Sequence, residues 1–141
     1  MSFLLDTSIV SEWAKPRPNA RVVAWLAAVD EDRTFLSVVT IAELRAGVER
    51  LARGKRREAL DRWLRDDVSA RFGSRILPVD LAIADRCGRI VARCAERGRS
   101  IAAMDALIAA TASVHGLAIV TRNVALFADA APESAIDPSS V

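Results

Sequence analysis

A chain of 141 residues that is 52% hydrophobic and 27% charged is long enough to bury one core and too apolar to remain disordered. Its 20 Lys and Arg against 18 Asp and Glu leave a formal charge of only +2. That excludes a protein that wraps nucleic acid by bulk charge, so any polyanion must meet a local patch.

Residues 2–6 (SFLLD) read as a first short strand with no polar alternation, as expected of a strand buried on both faces. No basic region precedes it and Asp6 ends it, so this N-terminus is not a secretory signal. Asp6-Thr7-Ser8 then opens a helical segment from Ile9 to Ala14. All three are good capping residues, so alone the tripeptide says little. Val22, Trp25, Leu26 and Val29 follow helical spacing. A second strand spans 34–39 (TFLSVV), and Ile41, Leu44, Val48 and Leu51 mark the helix after it. Glu43 on that helix has Ala46 and Gly47 at i+3 and i+4, which leaves its face small and open. The ordinary alternative is a solvated charge in a first turn. Arg50, Arg53, Lys55, Arg56 and Arg57 cluster about Gly54, either as a solvated corner or as a phosphate-contacting patch without base specificity.

Leu60, Trp63 and Leu64 continue in a third helical segment, and residues 75–79 (RILPV) form a third strand. Ala84, Cys87, Gly88, Val91, Cys94 and Ala95 make one helical stripe. Cys87 and Cys94 lack C-x-x-C spacing and further ligands, so they read as reduced core thiols of a cytosolic protein. Asp105 starts the apolar run 106–110 and shares its face with Ile108, Ala109 and Ala112. Leu107, Ile108, Thr111 and Val114 form the stripe of that helix, which His115-Gly116 ends. Residues 117–121 (LAIVT) form a fourth strand leading into the turn Thr121-Arg122-Asn123. The charge-free stretch from Ala106 to Thr121 is marginal for a membrane span and carries Ser113, His115 and Gly116, so it reads as a buried helix and strand. The tail from Ala130 has room for one short edge strand, Ala135-Ile136, before fraying.

Strands alternating with helices imply an α/β fold: one domain over 1–141, with a central parallel sheet of four to five short strands and helices on both faces. Ligands of such sheets collect at the carboxyl ends of the strands, where Asp6, Glu43 and Asp105 would meet. Carboxylates beside apolar sequence need something that repays their desolvation, and three together repel unless a cation lies between them. Oxygen-only ligation points to Mg²⁺ or Mn²⁺ rather than zinc, hence to metal-assisted phosphoester chemistry. With a single His, a nucleophilic triad is unsupported.

Leu4-Leu5-Asp6-Thr7-Ser8, the segment from Ser37 to Gly47 around Glu43, Arg75-Ile76-Leu77-Pro78-Val79-Asp80, the segment from Asp105 to Ala112, and Thr121-Arg122-Asn123 together resemble the PIN domain, more narrowly the VapC/FitB-like toxins of toxin–antitoxin pairs. The resemblance implies a Mg²⁺- or Mn²⁺-dependent, cytoplasmic, homodimeric endoribonuclease that cleaves RNA. It would be neutralised by a VapB/FitA-like antitoxin and reach operator DNA only through it. By matching position, Asp6, Glu43 and Asp105 take the family's metal roles and Asn123 falls at the fourth acidic site, with Thr7, Ser8 and Thr121 in support. Arg53, Lys55, Arg56 and Arg57 would meet the RNA backbone. Two departures stand out: Leu126 where the pattern T-R-N-x-x-D-F has an acid, and Asp137-Pro138-Ser139 in place of an Asn-Pro-Trp-like ending. One rival is a weakly active protein serving mainly as the antitoxin's partner on DNA. Another is a haloacid dehalogenase or receiver-type phosphotransfer domain, against which stand Ser8, where the former has a second Asp, and the absence of an acidic pair beside Asp6.

Overall fold

Leu4 and Leu5 are both fully buried, yet they enter different apolar clusters on opposite faces of one sheet. The same division separates Ile119 from Val120. Side chains alternate across a strand, so a strand with an apolar layer on each face is apolar at every position. This explains the uninterrupted runs of the sequence.

The computed structural model describes residues 1–130 and 135–140. Five short strands, β1 (Phe3–Leu5), β2 (Thr34–Ser37), β3 (Ile76–Leu77), β4 (Ala118–Val120) and β5 (Ala135–Ile136), pair in parallel in the order β3-β2-β1-β4-β5. The chain adds β2 and β3 on one side of β1, then β4 and β5 on the other. The reversal opens a crevice at the carboxyl end of β1, the usual ligand position in such sheets.

The helices are α1 (Thr7–Val10), α2 (Ala20–Ala28), α3 (Val38–Glu49), α4 (Lys55–Arg62), α5 (Ser69–Phe72), α6 (Leu81–Glu96), α7 (Ala103–His115) and α8 (Val124–Phe127). Three cap as their sequences dictate: Ser37, Asn19 and Asp80 accept hydrogen bonds from the first amides of α3, α2 and α6. Gly116 ends α7 with φ 66°, the left-handed conformation expected there. Between α4 and α5 the chain widens into a π turn over Trp63–Val68, burying Leu64 and Val68.

Several elements differ in detail from the sequence reading. Val29 and Leu51 lie beyond α2 and α3. The buried face of α6 is Ile83, Ile90 and Cys94 with Cys87 partly covered, whereas Ala84, Gly88, Val91 and Ala95 are exposed. The two stripes are one residue apart on the helix, and the one carrying Ile83 and Ile90 meets the core while its neighbour borders the charged outer face of Asp85, Arg89 and Glu96. After β5, Pro138–Ser140 forms a short 3-10 turn held to α2, where Arg21 donates to the Ser139 carbonyl at 2.9 Å. Pro132 lies outside the described residues.

Candidate active site

Strand register brings the first two groups together. Leu5 pairs with Val120, so the next residues, Asp6 and Thr121, sit side by side at the strand ends. Asp6 is 6% exposed and its side chain caps nothing, which removes capping as its explanation. Instead its Oδ2 accepts two hydroxyl hydrogen bonds, from Ser8 at 2.8 Å and from the fully buried Thr121 at 2.8 Å. Bonds to a carboxylate are the stronger kind, and two on one oxygen fix the rotamer and present Oδ1. Thr121 Oγ1 also accepts the Asn123 amide at 2.9 Å, and Ser8 Oγ accepts the Arg122 amide at 3.1 Å.

Thr7 points the other way. Its Oγ1 lies 2.6 Å from Glu43 Oε1 and 3.1 Å from Thr40 Oγ1. With one proton to give, it donates to the carboxylate, the stronger acceptor. Glu43 stands in the second turn of α3, beyond the first-turn position where the macrodipole would account for it. Asp6, Thr7 and Ser8 thus tie β1 to α3 on one side and to β4 on the other.

Asp105 is the third residue of α7, two places inside the helix start rather than at it, and caps nothing. Burial first, then the charges of Glu43 and of Asp6, push its carboxyl above the usual carboxylate range. The three acids therefore share one field. Among the described residues no three His, Cys, Asp or Glu are drawn close enough to form a finished ligand cage. The mutual repulsion of the acids, with purely oxygen donors, fits a hard divalent cation. His115 stands at the opposite end of α7, about 15 Å of helix rise away. Burial pushes the Cys87 thiol up, away from the reactive thiolate.

Asn123 is exposed and enters the hydroxyl network through its backbone amide. Leu126 is half-buried against the core cluster that contains Phe127. Asp129, nearby in sequence, pairs with Arg97 at 3.1 Å and Arg99 at 2.9 Å and so fastens α8 to the end of α6. Of the basic corner, Arg57 is committed to Glu49. Arg53, Lys55 and Arg56 are exposed and form no ion pair among the described residues.

Beside Thr7 and Glu43 opens a cavity of about 190 Å³, walled by Leu44, Gly47 and Val48 of α3 and by Leu60 and Trp63. The sequence reading missed Glu12, which is 1% exposed in the 3-10 turn after α1. Its signal was the one that marked Asp6, a carboxylate within apolar sequence. Burial raises its affinity for a proton, and Lys15, the Asn19 amide and Arg122 together reverse this, holding it below the usual range.

Residues 3–131 match the PIN domain family. Toxin FitB of Neisseria gonorrhoeae is 42% identical over 88% of this chain and 89% of that protein. The VapC ribonuclease Y4jK of Sinorhizobium fredii is 36% identical over 96% of both. Among solved structures, FitAcB from Neisseria gonorrhoeae superposes with a TM-score of 0.89 at 39% identity, covering 99% of each chain. FitAB bound to an IR36 DNA fragment gives 0.91 at 37% identity, covering 99% of this chain and 96% of that one.

Proposed function

The chain belongs to the PIN-domain family of VapC/FitB-like toxins, and on that footing we propose that it is the toxin of a toxin–antitoxin pair and cleaves RNA with a divalent cation, Mg²⁺ or Mn²⁺. The observation that carries this reading is the hydroxyl network at the end of β1, where Ser8 and Thr121 hold Asp6 and Thr7 holds Glu43, with Asp105, pushed up by burial and then by the charges of Glu43 and Asp6, in the same field.

Asp6, Glu43 and Asp105 would hold the cation. When bound, it would lower the pKa of a water, polarise the scissile phosphate and neutralise charge on the leaving oxygen. The chain's own contribution is preorganisation. Ser8 and Thr121 fix Asp6, Thr7 fixes Glu43, and the Asn123 amide holds the Thr121 hydroxyl in place. The Asn123 side chain, exposed in the turn after β4, would orient water beside the cation. Arg53, Lys55 and Arg56 would contact the RNA backbone, with Arg57 bracing them through Glu49.

The partner is a VapB/FitA-like antitoxin, as in the solved FitAB complex on DNA, and operator DNA is reached through it. The apolar cavity beside Glu43 suits an apolar side chain of that antitoxin, with a neighbouring cation aimed at the carboxylates. A second copy of the chain would pair through the outer face of α6, where Leu81 is 86% and Val91 40% exposed. Among the described residues no helix is long and apolar enough to cross a membrane.

The test is RNA cleavage by the purified chain across a Mn²⁺ and Mg²⁺ titration, beside Asp6→Asn. Loss of cleavage and of growth inhibition in the folded mutant is expected. An equally toxic, equally active Asp6→Asn would refute the site. Intact antitoxin–DNA assembly by an inactive wild type would favour the partner role instead.

A further inference from the structure

Burying a carboxylate is costly unless it is paired, and Glu12 is almost completely buried. Its Oε1 accepts the Asn19 amide at 2.8 Å, closing the Lys15–Asn19 loop, and lies 3.6 Å from Arg122 Nη1, while Oε2 pairs with Lys15. Loop closure alone needs only a neutral acceptor, which Gln would supply equally well. The charge faces two cations, Lys15 within the loop and Arg122 beyond it. Arg122 is held at both ends, its guanidinium by Glu12 and its amide by Ser8 Oγ, the hydroxyl that binds Asp6 Oδ2. On either side of Arg122 stand Thr121, the second donor to Asp6, and Asn123, whose amide orients Thr121.

We propose that Glu12 is a positioning residue of the active site, acting through Arg122 to press the Thr121-Arg122-Asn123 turn onto Asp6. The inference rests on the metal-dependent ribonuclease reading. Without the Glu12 charge, Arg122 has Asp137 as its other anionic neighbour, on the far side of the turn from Asp6. The turn then relaxes outward, and Asp6 loses part of the hydroxyl clamp that presents Oδ1.

The test uses the full chain in four forms, Glu12→Gln, Arg122→Gln, their double mutant and Lys15→Gln, with Asp6→Asn alongside. The readouts are Mn²⁺ affinity by calorimetry and RNA cleavage against Mn²⁺ concentration. Glu12→Gln and Arg122→Gln should each weaken Mn²⁺ binding about tenfold, the size of effect seen when a ligand's supporting hydrogen bonds are lost. The double mutant should be no worse than either single one. Saturating Mn²⁺ should restore cleavage with KM for RNA unchanged, and Lys15→Gln should bind Mn²⁺ like the wild type. Wild-type Mn²⁺ affinity in Glu12→Gln, or additive losses in the double mutant, would overturn the proposal and leave Glu12 as a loop closure. If Glu12→Gln fails to fold, Arg122→Gln, altered at an exposed side chain, decides alone: unchanged Mn²⁺ affinity there refutes the coupling. Should Asp6→Asn bind Mn²⁺ and cleave as the wild type does, the ribonuclease site itself is misassigned and the Glu12 inference falls with it.

Discussion

Leu126 stands where the family pattern has an acid, so Leu126→Asp is the substitution on which sequence and structure disagree most sharply. Pattern alone says the new carboxylate completes the metal site and lowers the metal requirement. The structure places Leu126 half-buried against the core that holds the fully buried Phe127. Fully burying a Leu side chain contributes about 1.5–3 kcal/mol, so losing a half-buried one costs roughly 1 kcal/mol. Seating a carboxylate against the same apolar wall adds at least the roughly 1–3 kcal/mol of an unpaired neutral polar group. The sum is about 3 kcal/mol or more, a fall of about 10 °C or more in melting temperature for a domain of this size. Thermal melts of the mutant, with and without Mn²⁺, and a Mn²⁺ titration of cleavage measure both effects. We expect the fall without any drop in the half-maximal Mn²⁺ concentration. An unchanged melting temperature with a lower Mn²⁺ requirement would refute the packing argument and turn the residue toward the acids.

Asp105→Asn tests the shared field through pH. The folded-state pKa of Asp105 is raised, so its contribution to stability is fully present below the unfolded value near ~4 and lost as pH rises through the folded one. Metal-free Asp105→Asn should therefore melt at an equal or higher temperature than wild type at pH 7, and the difference should shrink toward pH 4. A mutant that is less stable at pH 7 would mean Asp105 makes favourable contacts instead. At the α6 surface, Leu81→Arg should give a monomer by light scattering at micromolar concentration with its melting curve otherwise intact, and an unchanged dimer would exclude that face.

The strands were legible because the physics that makes them also writes their pattern: Leu4, Leu5, Ile119 and Val120 are apolar since each face of the sheet has its own core. The same logic blurred α6. Ala84, Gly88, Val91 and Ala95 match the helical period as well as Ile83, Ile90 and Cys94 do, and only the tertiary fold decides which stripe meets the sheet. The acids could be listed from sequence because carboxylates are rare beside apolar runs. That criterion applied evenly would have included Glu12, which was passed over because it sits in no strand-end motif.

What a sequence does not contain is the assignment of hydroxyls to carboxylates. Thr7 and Ser8 are adjacent and chemically alike, yet one serves Glu43 and the other Asp6. The difference arises from geometry set elsewhere. β1 lies between β2 and β4, so the residues leaving its end must reach both neighbours. The Leu5–Val120 register puts Thr121 beside Asp6, while α3 leaving β2 brings Glu43 toward Thr7. A one-residue slip between β1 and β4 would turn Thr121 to the other face and leave Asp6 with a single hydroxyl donor. The order of the central three strands thus brings Asp6 and Glu43 under adjacent hydroxyls of one turn. The proposed role of Glu12 follows the same geometry, since whatever holds the end of β4 in place holds Asp6 as well.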